Sequence, residues 1–130
     1  MASETPSEDD VALVLAAYEA WTRGDIDAAV AALHPDVEWT EPDEFPGGGT
    51  RRGPAAVAGY LRNSRQTWTD LHSAREAAIV GGEVVVVHHV WGTAADGTSR
   101  DVTVADVYTV RDGQVLRMHA HADPDAPFRR

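Results

Sequence analysis

The sequence predicts an α+β fold in which three N-terminal helices lie on one face of an antiparallel sheet. Apolar residues recur at helical spacing in the first half of the chain, and after Asp70 the pattern changes to runs rich in Val, Thr and Tyr. Gly81-Gly82, Asp96-Gly97 and Asp112-Gly113 separate those runs, as tight hairpin turns do. Helices followed by hairpin-connected strands favour a layer of helices against one sheet face.

The first helix is expected from Asp9 to Arg23. Ser7 and Asp10 have the spacing of a capping box, and Gly24 can end the helix. Asp25 can cap a short second helix that Pro35 stops. The expected apolar stripes are Val11, Val14, Leu15, Tyr18 and Trp21 or Thr22 in the first helix and Ile26, Ala29, Val30 and Leu33 in the second.

A strand from Val37 and a third helix follow. Gly53 and Pro54 are suited to the start of that helix, which is expected to carry Val57, Tyr60, Leu61 and Trp68 on one side. The segment 42–52 contains two prolines and three glycines, so we expect no regular structure there. We predict a disordered leader at 1–8, one domain at 9–123 and a C-terminal tail at 124–130.

Composition excludes several kinds of function. The net charge of -10 argues against partners with negative phosphates, so neither nucleic acid nor a membrane surface is expected. The chain has no cysteine, and its basic residues are all arginines, which excludes thiolate chemistry and a Schiff-base lysine. The N-terminus lacks the basic and apolar regions of a signal peptide, and no apolar run is long enough to span a membrane, so a cytoplasmic location is expected.

Two acidic residues interrupt apolar strand faces. Val37, Trp39 and Glu41 share one face of the strand in "VEWTEPDEFP". In "RDVTVADVYTV", Asp106 shares a face with Val104 and Tyr108. A bulge that turns the acid to solvent, or a structural role for it, would also explain Asp106. Two buried acids near one cavity can diverge in pKa, one acting as a base and the other as a protonated hydrogen-bond donor.

Histidines cluster in the later strands. His88 and His89 lie on opposite faces of a strand whose two faces are otherwise apolar. One of them therefore faces inward, either as a core residue or as a functional one. His119, His121 and Asp123 share a face and have residue types that can bind metal. Because that face points away from the predicted core, we expect solvent or a subunit contact there and predict neither a metal nor a cofactor.

Three segments resemble the nuclear transport factor 2-like superfamily, in its SnoaL-like and ketosteroid-isomerase-like branch. They are "AYEAWTRGDIDAAVAALHPDVEW", "RRGPAAVAGYLRNS" and "DVYTVRDGQVLRM", and the resemblance covers Val11 to about Asp123. It implies a cone: a curved antiparallel sheet wrapped over the helices, with a pocket at its open end. It also implies a homodimer.

The resemblance to ketosteroid isomerase assigns roles to the two acids. Glu41 falls on the general base and Asp106 on the protonated acid that stabilises the oxyanion. The isomerase's oxyanion tyrosine falls on Ala17, one residue before Tyr18, and a supporting tyrosine falls on Leu61, next to Tyr60. These departures imply that the full steroid-isomerase site is absent.

We therefore expect a cofactor-independent isomerase or cyclase acting on an apolar, carbonyl-containing small molecule of polyketide or steroid type. Glu41 and Asp106 would be catalytic. The expected pocket residues are Tyr18, Trp39, Tyr60, His88, Tyr108 and Met118. The alternative is a non-catalytic ligand-binding or dimeric accessory protein, since one fold hosts many functions. The expected homodimer would use the convex sheet face, where His89, Trp91, His119 and His121 could lie.

Overall fold

The computed structural model describes residues 6–129 as three helices and a six-stranded sheet, with a short 3₁₀-helix at the end. The predicted leader falls mostly on residues 1–5, which lie outside the described residues. In chain order the elements are α1 (Glu8–Thr22), α2 (Ile26–Ala29), β1 (Leu33–Glu41), β2 (Gly49–Arg52), α3 (Pro54–Gln66), β3 (Trp68–Val80), β4 (Glu83–Ala94), β5 (Ser99–Arg111), β6 (Gln114–His121) and the 3₁₀-helix Ala126–Phe128.

The predicted α+β fold class is confirmed, as a curved and unclosed sheet with the helices against it. The strand order is β2-β1-β6-β5-β4-β3. The three predicted hairpin turns connect β3 to β4, β4 to β5 and β5 to β6, all antiparallel. The sheet is mixed, however, because β1 pairs with β6 in parallel. A crossover through β2, α3 and three strands brings the chain back beside β1, which makes the parallel pairing possible.

The predicted helix starts are confirmed. Ser7 caps α1 in a capping box with Asp10, Asp25 caps α2, and α3 begins at Pro54 after Gly53. Two residues expected on helices lie on strands. Leu33 pairs with Val115 of β6, and Trp68 opens β3 opposite Ala94. In both cases strand pairing, which depends on distant sequence, buries the side chain.

The glycine-rich segment was expected to lack regular structure, and this prediction is wrong. Gly49–Arg52 form β2, which pairs antiparallel with β1. Its glycines are what allow the sharp return: Gly49 has a φ of +114°, and a Cβ on Gly48 would lie 2.5 Å from the carbonyl oxygen of Pro42. The hairpin adds an edge strand next to β1, and Arg51 lies directly opposite Trp39.

The core lies between the helices and the concave face of the sheet. It combines one face each of α1, α3 and the strands β1, β4, β5 and β6. The buried cluster contains Val14, Tyr18, Leu33, Val37, Trp39, Val57, Val84, Val86, Tyr108, Val110, Val115, Met118 and Ala120. Several predicted pocket residues therefore belong to the core.

Two glycine-to-alanine variants should change stability in opposite directions. Gly92 has a φ of +143°, and a Cβ there would lie 2.2 Å from the carbonyl oxygen of Asp70. We expect Gly92→Ala to lower the free energy of unfolding by at least about 1–3 kcal/mol. Gly59 lies within α3 with nothing within 4 Å of its Cβ position, so Gly59→Ala should raise it by about 0.5–1 kcal/mol. Urea unfolding of both variants measures the difference, and equal effects would contradict this account.

Candidate functional site

A chain of three buried polar groups crosses the interior of the domain. The Tyr108 hydroxyl donates to the Tyr18 hydroxyl over 2.7 Å, and the Tyr18 hydroxyl donates to Oδ2 of Asp106 over 2.5 Å. Asp106 is 9% exposed, Tyr18 is 7% exposed and Tyr108 is 5% exposed. Asp106 and Tyr108 are two residues apart on β5 and therefore point to the same side, toward α1.

Burial changes the titration of this chain. It is the main cause that raises the pKa of Asp106 to about 7, and the negative charge of Glu41 raises it further. The hydrogen bond from Tyr18 acts in the opposite direction by stabilising the carboxylate. The pKa values of Tyr18 and Tyr108 are also raised by burial and by the charge of Asp106, so both tyrosines are neutral donors at neutral pH.

Glu41 lies at the end of β1 in a half-buried position. The indole Nε1 of Trp39 donates to its Oε2 over 2.6 Å. Burial raises the pKa of Glu41, whereas Trp39, Tyr60 and the positive charge of Arg51 favour the ionised form. Glu41 thus combines partial exclusion from water with groups that stabilise its negative charge.

Strand register places Glu41 and Asp106 on the same face of the sheet. Trp39 of β1 is in register with Met118 of β6, and Met118 is in register with Tyr108 of β5. Glu41 is two residues after Trp39, and Asp106 is two residues before Tyr108, so both acids continue this row on the concave side. The two acids are close enough for the negative charge of Glu41 to raise the pKa of Asp106.

Arg51 packs on Tyr60, and its positive charge acts on Glu41; the sequence analysis did not identify this residue. Its guanidinium carbon lies 4.2 Å from the centre of the Tyr60 ring, and its Nη2 donates to the carbonyl oxygen of Gly47 over 2.6 Å. Arg51 was missed because the sequence analysis did not predict β2. In the hairpin of β1 and β2, Arg51 lies opposite Trp39 and therefore shares the concave face with it.

Of the two adjacent histidines, His88 faces the interior. Its ring contacts that of Tyr18 edge-to-face with centroids 4.7 Å apart, and its Nε2 lies 2.7 Å from Oγ of Ser73. Arg75 donates to the same Ser73 oxygen over 3.0 Å. Burial, with the charges of Arg75 and His89, lowers the pKa of His88 to about 4, so this histidine is neutral at pH 7. Its ring packs against the ring of Tyr18.

The other polar and aromatic residues singled out in the sequence lie on the convex face. His89 binds Asp101 over 2.9 Å and stacks on Trp91, and the rings of His119 and His121 are 4.8 Å apart. Two depressions of about 420 and 410 Å³ lie on this outer face, away from Glu41 and Asp106. Within residues 6–129, no three His, Asp or Glu side chains gather as a metal site, and no helix is long and apolar enough to cross a membrane.

Tyr18 lies one residue after Ala17, the position on which the isomerase's oxyanion tyrosine falls. Tyr18 faces inward and its hydroxyl reaches Asp106. A tyrosine on α1 and an acid on β5 therefore meet in this chain. One residue along a helix corresponds to about 100° of rotation, so Ala17 and Tyr18 point in different directions.

Comparisons with known proteins agree with this fold. Residues 14–118 match the family model described as a SnoaL-like domain. An NTF2-like protein of unknown function from Burkholderia pseudomallei is 29% identical with a TM-score of 0.77, covering 91% of this chain and 93% of its own. TerC, co-crystallised with polyporic acid, is 28% identical with a TM-score of 0.74, covering 90% and 93%.

A more distant structure shows the same fold. It is a candidate polyketide cyclase from Xanthomonas campestris pv. campestris, 24% identical with a TM-score of 0.67, covering 91% of each chain. Among curated proteins, none matches the chain. The resemblance inferred from the three sequence segments is confirmed at the level of the family and the fold.

The pKa of Asp106 can be tested through stability alone. Between the unfolded pKa of about 4 and the folded pKa of about 7, the folded protein holds a proton that the unfolded chain has released. The stability that this group contributes is full below about pH 4 and is lost as the pH rises toward 7. Asn cannot ionise, so Asp106→Asn should gain on the wild type across that window, by about 1.4 kcal/mol for each pH unit spanned.

The measurement is urea unfolding of both proteins at several pH values from 4 to 8. The titration of His88 and of all other groups cancels to first order in the difference between them. A flat difference, or a wild type that gains on the variant as the pH rises, would show that Asp106 is an ordinary ionised acid.

Proposed function

Because the chain belongs to the SnoaL-like domain family, we propose that it is a cofactor-independent enzyme that moves a proton beside a carbonyl group of an apolar small molecule. The observation that carries the proposal is the pair of acids on one concave face, one buried and hydrogen-bonded to Tyr18, the other half-buried. Isomerisation or aldol-type cyclisation of a polyketide-like or steroid-like substrate would suit this pair.

The environments of the two acids suggest different roles. Glu41 is closer to solvent and receives a hydrogen bond from Trp39 and the electrostatic help of Arg51, so it is the base. Asp106 has a pKa of about 7 and can hold a proton, so it is the hydrogen-bond donor. A pair of carboxyl groups whose surroundings separate their pKa values can serve as base and acid at the same pH.

The proposed reaction begins with proton abstraction. Glu41 takes a proton from the carbon next to the carbonyl. The electrons of the broken C–H bond form a C=C bond, and the π electrons of the carbonyl move to its oxygen. Protonated Asp106 donates a hydrogen bond to the resulting enolate oxygen, while Tyr18 keeps donating to Oδ2 of Asp106. In an isomerisation the proton on Glu41 returns to another carbon. In a cyclisation the enolate carbon attacks a second carbonyl carbon of the same molecule, and the proton held by Glu41 goes to the resulting alkoxide oxygen.

The surrounding side chains favour an apolar substrate. Trp39, Tyr60, Tyr108 and Met118 border the two acids, with Tyr18 and His88 behind them. Aromatic and thioether groups offer large apolar contact with few polar requirements. A polyketide cyclase assignment for one structure of this fold, and the co-crystal of TerC with a small organic molecule, support a small-molecule ligand.

One observation favours the alternative of a non-catalytic ligand-binding or accessory protein. The Tyr18 hydroxyl already donates to Asp106, and Trp39, Tyr108 and Met118 are each less than 10% exposed. A substrate that reaches Asp106 must displace some of this packing. An accessory protein would keep the interior filled, and it would not accelerate proton exchange.

The role of Glu41 as the base can be tested with a small ketone as a probe. We expect the wild type to accelerate exchange of the α-hydrogens of 2-tetralone with D₂O, followed by NMR. Glu41→Gln keeps the shape but removes the base, so the rate should fall about 10²–10⁴-fold. Glu38→Gln is the matched control: Glu38 is on the same strand but faces outward, where it pairs with Arg52 over 2.9 Å. Equal rates in the two variants would reject the role of Glu41.

The expected homodimer remains a separate proposal. Four ring side chains lie on the outer sheet face: His89, Trp91, His119 and His121. Each ring at such a position is covered either by a partner subunit or by water. We expect light scattering at micromolar concentration to give twice the monomer mass. A charge placed in the face, Trp91→Glu, should shift the mass toward the monomer, whereas a monomeric wild type would contradict the proposal.

A further inference from the structure

Arg51 carries an unsatisfied buried donor. Its Nη1 is buried and has no hydrogen-bond partner among residues 6–129, and it is the one buried side-chain nitrogen or oxygen of that part of the chain in this condition. The rest of the guanidinium is well placed, with Nη2 bonded to Gly47 and the plane stacked over Tyr60. A buried N–H without a partner costs free energy, and native structures rarely keep one without a reason.

The neighbouring arginine shows what a purely structural residue looks like on this strand. Arg52 faces outward, is largely exposed and pairs with Glu38 over 2.9 Å. Arg51 faces the concave side and has no carboxylate oxygen within 4.0 Å in the described part of the chain. Consecutive strand residues point to opposite faces, so the two arginines are matched in chemistry and differ in environment.

The nearby acid does not use this donor. Glu41 receives its hydrogen bond from Trp39, and Arg51 influences it only through its charge. The guanidinium therefore keeps one N–H free beside Tyr60, at the end of the concave face where Glu41 lies. The guanidinium is a delocalised cation with five N–H donors, so that N–H is a charged donor.

We propose that Arg51 binds an anionic oxygen of the substrate, a carboxylate or an ionised enol, and that the site prefers acidic to neutral carbonyl compounds. The proposal rests on the proposed function for the position of the site, and it narrows the substrate class. The apolar body of the substrate lies along Tyr60 and Trp39, and its anionic end meets Nη1 of Arg51. Charge-assisted hydrogen bonds of this kind are the strong ones.

The charge of the whole chain makes this arginine decisive. At a net charge of -10 the protein repels small anions in general, and Glu41 adds a negative charge close to the site. Preference for an acidic ligand therefore requires a nearby cation with an N–H donor that has no other hydrogen-bond partner. Arg51 meets that requirement, and a neutral substrate of the same shape would leave its N–H without a partner.

Binding of a matched pair of probes tests the proposal without a known substrate. The probes are 2-naphthoate and its neutral amide, 2-naphthamide, titrated into the protein and followed by isothermal titration calorimetry. We expect the wild type to bind naphthoate more tightly. Arg51→Gln should weaken naphthoate binding about 10-fold to 100-fold and leave naphthamide binding unchanged. Arg52→Gln removes the same charge on the outer face and should change neither.

Arg51→Lys separates the geometry of the group from its charge. Lysine keeps the charge but loses the planar fork, so it should recover only part of the naphthoate affinity. The wild-type preference is itself decisive if a variant fails to fold. A wild type that binds the amide as well as the carboxylate, or binds neither, overturns the proposal, as does an Arg51→Gln variant that keeps the preference.

The failure of this inference can be told apart from the failure of the proposed function. Naphthoate binding that depends on Arg51, together with exchange rates that do not depend on Glu41, would leave an acid-binding protein without the proposed chemistry. Exchange that depends on Glu41, together with no preference between the probes, would leave the enzyme and remove the acidic substrate.

Discussion

The hydrogen bond from Tyr18 to Asp106 is the constraint on which the rest of the interior depends. It joins α1 to β5 across 88 residues of sequence and is buried on both sides. An acid buried in apolar surroundings is costly unless it is paired or protonated. Tyr18 must therefore face the sheet, which fixes the rotation of α1, and Tyr108 and His88 pack against its ring. The helix orientation and the position of the site thus have one cause.

Unequal burial separates the behaviour of the two acids. Asp106 is enclosed and its pKa lies near 7, while Glu41 keeps partial access to water and the positive charge of Arg51 nearby. The negative charge of Glu41 further disfavours ionisation of Asp106. In the proposed mechanism the roles of acid and base follow from position alone, because the two side chains differ by a single methylene group.

The alternation of strand residues made the inward direction of both acids predictable from the sequence. Helical spacing of apolar residues did the same for the inward side of α1. Both patterns are local. Three features were not predictable, since each depends on distant contacts. The parallel pairing of β1 with β6 needs a partner far along the chain. The strand β2, and with it Arg51, is hidden by glycines that read as a loop. A register shift beyond Thr109 places Val115 inside, where strict alternation in β6 would have put Leu116.

The parallel pairing that the sequence did not reveal is also what assembles the site. Glu41 comes from the N-terminal half of the chain and Asp106 from the meander, and only β6 lies between their strands. The row from Trp39 through Met118 to Tyr108 holds those strands in register. A slip of one residue between β1 and β6 would turn Glu41 to the convex face and expose Trp39. Burial of Trp39 and Met118 opposes such a slip, so the apolar row that stabilises the sheet also keeps the two acids on one side.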